Sequence, residues 1–210
     1  MKSRMLLGFS GVLLSLALAT VCSAETIATF SGALATSDPT QMGRLSRNGI
    51  AQDWTGTETF PGEINTGVTY HYELLDIPAA EIALTPYIQI TVDSVSANTF
   101  FSAYSGSYDP TSDATNWLGD AGSSGNFFGV DPVFFQVIAG SGDLLILVNN
   151  TGSGNVGVGD PFTVTVEGFI DTEFDDPPPS TATPEPASLT LLVTGLAGLF
   201  AAYRKGKSAR

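Results

Sequence analysis

The sequence has few of the side chains on which most enzymes rely. Its 210 residues include one cysteine, Cys22, and one histidine, His71. These are too few for the common Cys/His zinc sites or for a His-dependent nucleophilic triad. His71 falls on the polar face of a predicted strand, which indicates a solvent-facing side chain. The chemistry open to the folded part is therefore that of carboxylates, hydroxyls and amides.

Positive charge is also scarce. The chain has 8 Lys and Arg residues against 21 Asp and Glu, a formal net charge of −13. Residues 25–183 contain two bases, Arg44 and Arg47, against 20 acids, which is a formal net charge of −18. Such a surface repels nucleic acid, so no nucleic-acid partner is expected. Two interpretations of the acids stay open, a solvated surface that keeps the protein soluble or a set of ligands for divalent ions.

The N-terminus has the three parts of a secretory signal. Lys2 and Arg4 precede an apolar run of about 15 residues, 5–19, and small residues follow as far as Ala24. The run is short for a hydrocarbon core of roughly 30 Å. We therefore predict that residues 1–24 form a signal helix, which signal peptidase removes by cleavage after Ala24.

The C-terminus ends in an apolar segment followed by bases. Residues 187–203 are uncharged and, as a helix, would span about 25 Å. By the positive-inside rule, the basic tail places this end in the cytoplasm and the rest of the chain outside. We predict a transmembrane helix held by four bases, which are Arg204, Lys205, Lys207 and Arg210.

Pro184, Glu185 and Pro186 stand directly before this segment. The order of Pro-Glu-Pro, apolar helix and basic terminus resembles the PEP-CTERM sorting signal. The resemblance implies a partner, the exosortase, a membrane-embedded cysteine transpeptidase of bacteria that make exopolysaccharide. It also implies that residues 184–210 are a sorting segment that is removed, with the rest released or attached to the surface. The two prolines would hold Glu185 in an extended, unpaired backbone that an active site can grip.

Between the two ends, the apolar pattern predicts strands. Three segments alternate apolar and polar residues with a period of two, and two others are nearly continuously apolar. They are residues 68–74, 88–93 and 162–167, and residues 133–138 and 144–148. We predict an all-β domain over residues 25–170, a single jelly-roll-like antiparallel β-sandwich. Its inward-facing residues are predicted to include Val68, Tyr70, Ile90, Leu145 and Val164.

Three stretches of the domain carry a second resemblance. Residues 34–40 with Arg44, residues 100–120, and residues 133–140 leading to 162–166 resemble bacterial pre-peptidase C-terminal modules, which are jelly-roll sandwiches of secreted proteases and surface proteins. The resemblance implies a non-catalytic module, and some relatives bind calcium or extracellular polymers.

The composition changes after the domain. Residues 171–183 are acidic and rich in proline, which predicts a stiff, solvated linker between the sandwich and the membrane.

Asp109, Asp113 and Asp120 are the candidate metal ligands. Calcium takes six to eight oxygen ligands, and a loop rich in Gly, Asp and Ser can supply carboxylates and carbonyls. The spacing matches no EF-hand loop, and the alternative is that Asp caps the backbone of an Asx-turn. We expect no cofactor other than this optional calcium.

Three functions remain after these exclusions. The first is a non-enzymatic exported protein, anchored transiently in the membrane and then held at the cell surface or in an extracellular polysaccharide matrix. The second is an adhesive or carbohydrate-binding module, which exposed aromatic residues on one sheet face would favour. The third is a small secreted hydrolase with paired carboxylates, which would need a cleft where they converge.

Overall fold

The computed structural model describes residues 24–126, 129 and 131–170. Strands take up 49% of these residues. The strands are β1 (Glu25–Ala33), β2 (Thr40–Leu45), β3 (Glu63–Ile77), β4 (Tyr87–Ser94), β5 (Thr99–Ser105), β6 (Trp117–Asp120), β7 (Val133–Ile138), β8 (Leu144–Asn150) and β9 (Pro161–Phe169). One short helix, α1 (Ala79–Ile82), follows β3.

The nine strands form two sheets. The four-stranded sheet has the order β1-β9-β4-β7 and the five-stranded sheet the order β2-β3-β8-β5-β6. Every pair of neighbours is antiparallel. The predicted all-β sandwich is confirmed at this level. The predicted signal and membrane helices lie outside the described residues, and no helix among those described is long and apolar enough to cross a membrane.

One hydrophobic core lies between the sheets. Ile90 of β4 and Val164 of β9 have no exposed surface, so both are inward-facing as predicted. Each fully buried aliphatic or aromatic side chain stabilises the fold by about 1.5–3 kcal/mol relative to an exposed one. The other large members come from all the central strands and include Ile88, Val92, Phe101, Phe135, Ile146, Val148 and Val166.

The predicted inward orientation of Val68, Tyr70 and Leu145 is wrong. In β3 the core residues are Leu75 and Ile77, so the even-numbered Tyr70 faces away from the other sheet, although it is buried. Leu145 lies between core residues 144 and 146 of β8, so it also points away from the other sheet, and it is half-buried. Val68 is also only half-buried. Alternation shows that one face of a strand is apolar, but it does not show what covers that face.

The outward surface of the five-stranded sheet is covered by the loop of residues 106–116. The ring of Tyr108 in this loop makes edge contacts with Tyr72 of β3 and Tyr104 of β5, at centroid distances of 5.3 and 4.8 Å. This second apolar layer explains why β3, β5 and β8 carry large side chains on both faces.

The segment around Gln52 joins the edges of the two sheets. The Gln52 N–H donates to the carbonyl of Asp120 in β6 at 3.0 Å, and its carbonyl accepts from the N–H of Gln136 in β7 at 2.8 Å. A third bond, from the Gly49 N–H to the Gly122 carbonyl at 2.9 Å, extends the connection. The segment closes one side of the sandwich. It also places Trp54 on the surface of the four-stranded sheet.

Candidate functional site

The first predicted metal ligand, Asp109, lies at the surface and caps a turn. Its Oδ1 accepts hydrogen bonds from the Thr111 backbone N–H at 2.9 Å and from the Thr111 hydroxyl at 2.7 Å. These bonds stabilise the carboxylate and lower the pKa of Asp109. This is the Asx-turn arrangement that the sequence left open as the alternative to a calcium ligand.

The other two predicted ligands, Asp113 and Asp120, are 4% and 3% exposed. Asp113 Oδ1 accepts from the Tyr108 hydroxyl at 2.8 Å, and Asp120 Oδ1 accepts from the Gly122 N–H at 2.7 Å. Burial raises the pKa of each carboxyl to about 6, because the charged form loses its hydration. The hydrogen bonds oppose this increase only in part.

The structure does not assemble these three aspartates into a metal centre. Among the described residues, no three His, Cys, Asp or Glu side chains form a group that could hold a metal ion. Calcium binding by Asp109, Asp113 and Asp120 stays an untested prediction, which the separate positions of their carboxylates do not support. In the structure their carboxylates hold the turn at 109–111, the loop of residues 106–116 and the end of β6.

The single histidine differs from its predicted position. His71 is half-buried, and its Nδ1 lies 3.3 Å from the Asp38 carbonyl oxygen. It shares the inward-facing side of β3 with Leu75 and Ile77, because odd-numbered residues of this strand face the other sheet.

The outward surface of the four-stranded sheet, which we call the outer face, carries a row of two amide side chains and one carboxylate. Gln136 of β7, Gln89 of β4 and Glu167 of β9 are cross-strand neighbours in register. Gln136 Nε2 donates to Gln89 Oε1 at 3.0 Å, and Gln89 Nε2 donates to Glu167 Oε2 at 3.3 Å. We call these three residues the amide row. The bonds fix their orientation, while all three remain half-exposed.

Hydroxyl groups continue the outer face beside the amide row. Thr91 and Thr165 are in register on β4 and β9, and Thr165 is also in register with Thr29 on β1. Farther along, the hydroxyl oxygens of Ser31 and Thr163 lie 3.2 Å apart. These hydroxyl groups, like the amides of Gln89 and Gln136, can both donate and accept hydrogen bonds.

Aromatic rings border the amide row on the other side. The Trp54 ring makes edge contacts with Tyr87 and Phe169 at centroid distances of 6.0 and 5.1 Å. Its indole N–H donates to the Ile88 carbonyl at 3.1 Å, which fixes the ring over the sheet. The three rings are half-buried. Phe134 on β7 is 42% exposed and lies on the hydroxyl side of the row, in register with Thr91.

Two depressions lie on this side of the molecule. One, of about 310 Å³, is lined by Phe134, Gln136 and Asp53 at the β7 edge. The other, of about 230 Å³, is lined by Ser31, Asp93 and Thr163 beyond the hydroxyl groups. Polar positions of β4 and β9 were recognised from their alternation, but the sequence does not show that β7, β4 and β9 are neighbours. For this reason, the outer face could not be recognised as a site from the sequence.

The cleavage and sorting residues divide between described and undescribed parts of the chain. Ala24 is exposed and directly precedes β1, which begins at Glu25. The sorting triplet at 184–186 and the four terminal bases lie outside the described residues.

Comparison with known proteins identifies the C-terminal segment. Residues 182–205 match the family described as the PEP-CTERM protein-sorting motif. No curated protein matches the chain. The resemblance to pre-peptidase C-terminal modules is unconfirmed and stays a prediction. The chain thus carries the PEP-CTERM signal of an exported protein that is processed by an exosortase.

Proposed function

We propose that the protein is a non-enzymatic component of the cell surface or extracellular matrix. Signal peptidase cleaves after Ala24, and residues 187–203 then hold the chain in the membrane with the sandwich outside and the basic tail in the cytoplasm. Exosortase acts at Pro184–Pro186 and separates the sandwich and its linker from the tail. The match of residues 182–205 to the sorting motif is the observation that carries this proposal.

Two features of the fold support the proposal. The first strand begins at Glu25, so cleavage after Ala24 would leave the sandwich complete. The two buried aspartates, Asp113 and Asp120, each bind a group of the fold itself, Tyr108 and the Gly122 N–H. Such carboxylates stabilise local structure and are not presented to a substrate.

Processing is tested by mass spectrometry of the protein released by its own host. The released protein should begin at Glu25 and end near Pro184. Glu185→Ala should keep the full tail on the protein and leave it in the membrane fraction, whereas the control Glu173→Ala, in the linker, should be processed normally. A released protein that retains residues 203–210 would contradict exosortase processing and leave a simple tail anchor.

The second candidate function, an adhesive or carbohydrate-binding module, is favoured by one specific observation. The half-exposed rings of Trp54, Tyr87 and Phe169 and the exposed Phe134 border the same sheet face as the amide row. Exposed aromatic residues on one sheet face favour a binding module over a purely structural matrix protein.

A further inference from the structure

We infer that the outer face of the four-stranded sheet binds an uncharged polysaccharide, whose sugar rings lie along the amide row between the aromatic border and the hydroxyl groups. This deepens the proposed function by naming a partner. It rests on the proposed function only in placing the sandwich outside the cell, where such polymers occur.

The hydrogen-bonding groups of the outer face match those of a sugar. Each sugar hydroxyl both donates and accepts, and Gln89, Gln136 and the threonine hydroxyls also do both. Adjacent strands lie about 4.8 Å apart, so the amide row presents a polar group at each such step across β7, β4 and β9. This spacing is close to the length of one sugar unit in an extended chain. The row is also held in place by its own hydrogen bonds, so little side-chain entropy is lost on binding.

The aromatic residues supply the apolar contact. Pyranose rings have faces of C–H groups that pack on aromatic rings, and binding sites commonly combine such rings with a few oriented polar groups. Trp54 is held by the bond to the Ile88 carbonyl and by its contacts with Tyr87 and Phe169. Phe134 stands beside Gln136 at the mouth of the larger depression.

The charges of the face select against anionic polymers. The outer face carries the carboxylates Asp93 and Glu167. In the part of the chain that the structure describes, the bases are Arg44 and Arg47, and neither lies on this sheet. Arg44 is buried and donates to the Leu45 carbonyl, and Arg47 donates to Ser124 Oγ. The carboxylates of Asp93 and Glu167 would repel a polyanion, and neither arginine lies on this sheet to pair with its charges.

The outer face also differs from a typical protein-binding surface. The centre of a protein interface is usually apolar and is fully desolvated on binding. Here the centre is the polar amide row, and the exposed apolar side chains lie around it, Phe134 and Ile138 on the edge strand β7 and Val95 just beyond the end of β4. A hydrated, hydroxyl-rich ligand fits this arrangement better than a protein partner or a second copy of the chain.

The test is polysaccharide affinity of the full chain, purified in mild detergent so that the result does not depend on processing. The probes are cellulose, xylan, an uncharged α-glucan and the neutral polysaccharide fraction of the host's own matrix, with alginate as the anionic comparison. The wild-type protein should be retained by at least one neutral probe and not by alginate. Gln89→Ala and Phe134→Ala should each weaken that retention about 3- to 10-fold, the effect of losing one hydrogen-bonding or packing group.

A matched control is Leu74→Ala. Leu74 is 38% exposed, close to the 42% of Phe134, but lies on the outward surface of the five-stranded sheet. It should bind like the wild type, and thermal melting should show that all three variants are folded. The inference is overturned if the wild type binds none of the neutral probes, if alginate is bound as well as they are, or if Leu74→Ala loses as much affinity as Gln89→Ala. None of these results would affect the mass of the processed protein, so the two proposals fail separately.

Discussion

Replacing Asp120 with asparagine should flatten the pH dependence of folding stability between pH 5 and pH 7. Asp120 is 3% exposed, and burial raises its pKa from 3.8 to about 6. A carboxyl whose pKa is higher in the folded state binds protons more tightly there than in the unfolded chain. The fold is therefore stabilised as the pH falls through 6, and this stabilisation is complete below 3.8 and lost above 6.

The magnitude follows from the difference between the two pKa values. One pKa unit corresponds to about 1.36 kcal/mol, so the full effect is about 3 kcal/mol. Between pH 7 and pH 5 the Asp120 carboxyl binds more protons in the folded state than in the unfolded state, and integrating this difference adds about 1.3 kcal/mol to the free energy of unfolding. For a domain of this size, that is a rise of about 4 °C in melting temperature. Asparagine at position 120 keeps an oxygen for the Gly122 N–H but does not titrate in this range.

Tryptophan fluorescence provides the assay, because both tryptophans, Trp54 and Trp117, lie in the sandwich. Thermal melts of the full chain at pH 5, 6 and 7 should rise less steeply toward acid for Asp120→Asn than for the wild type. Asp113, whose pKa is also raised to about 6, is present in both proteins, so the difference isolates Asp120. Asp109→Asn is the control, since the pKa of Asp109 is lowered and it stays ionised throughout. Equal slopes for the wild type and Asp120→Asn would show that Asp120 does not take up a proton in this pH range.

Three further predictions concern the covering segments and ions. Tyr108→Phe should lower the free energy of unfolding by about 1–3 kcal/mol in urea titration, because it leaves the buried Asp113 carboxyl without its donor; an unchanged midpoint would contradict this role. Gly122→Ala should lower the free energy of unfolding by roughly 3 kcal/mol or more, because the φ of Gly122 is +65° and a Cβ there would lie 2.3 Å from the Ile50 carbonyl carbon. The control Gly49→Ala should lower it by about 1 kcal/mol, because Gly49 has a φ of +83° but open space around the Cβ position. Similar losses for the two glycines would show that the contact with Ile50 is unimportant. Calcium and magnesium at equal ionic strength should raise the melting temperature equally, because the candidate carboxylates are separately engaged; a calcium-specific shift that Asp113→Asn abolishes would instead establish the site.

Much of the architecture could be predicted from the sequence because strand alternation is a local property. Residues 88–93 and 162–167 were assigned as strands with an inward apolar face, and Ile90 and Val164 have no exposed surface. The same reasoning failed for Tyr70 and Leu145, which lie on strands that are apolar on both faces. The loop of residues 106–116 covers the outward surface of the five-stranded sheet. The pattern of residues within a strand cannot show that a loop elsewhere in the chain packs on it.

The candidate sites show the same division. Asp109, Asp113 and Asp120 are close in sequence, but a few residues of separation placed Asp109 at the surface and the other two in buried positions. Although the three aspartates are close in sequence, their carboxylates do not form a cluster, because each one accepts a hydrogen bond from a different donor within its own segment.

The C-terminal sorting signal could be recognised from the sequence alone. The Pro-Glu-Pro triplet, the apolar segment and the basic tail form a short linear signal, so recognising them does not depend on how the rest of the chain folds. The proposed binding face, in contrast, depends on the tertiary structure. Gln89 is 47 residues from Gln136 and 78 residues from Glu167, and the order β9-β4-β7 makes them neighbours. Strand order depends on long-range pairing and on burial of the shared core, which no local pattern in this sequence records.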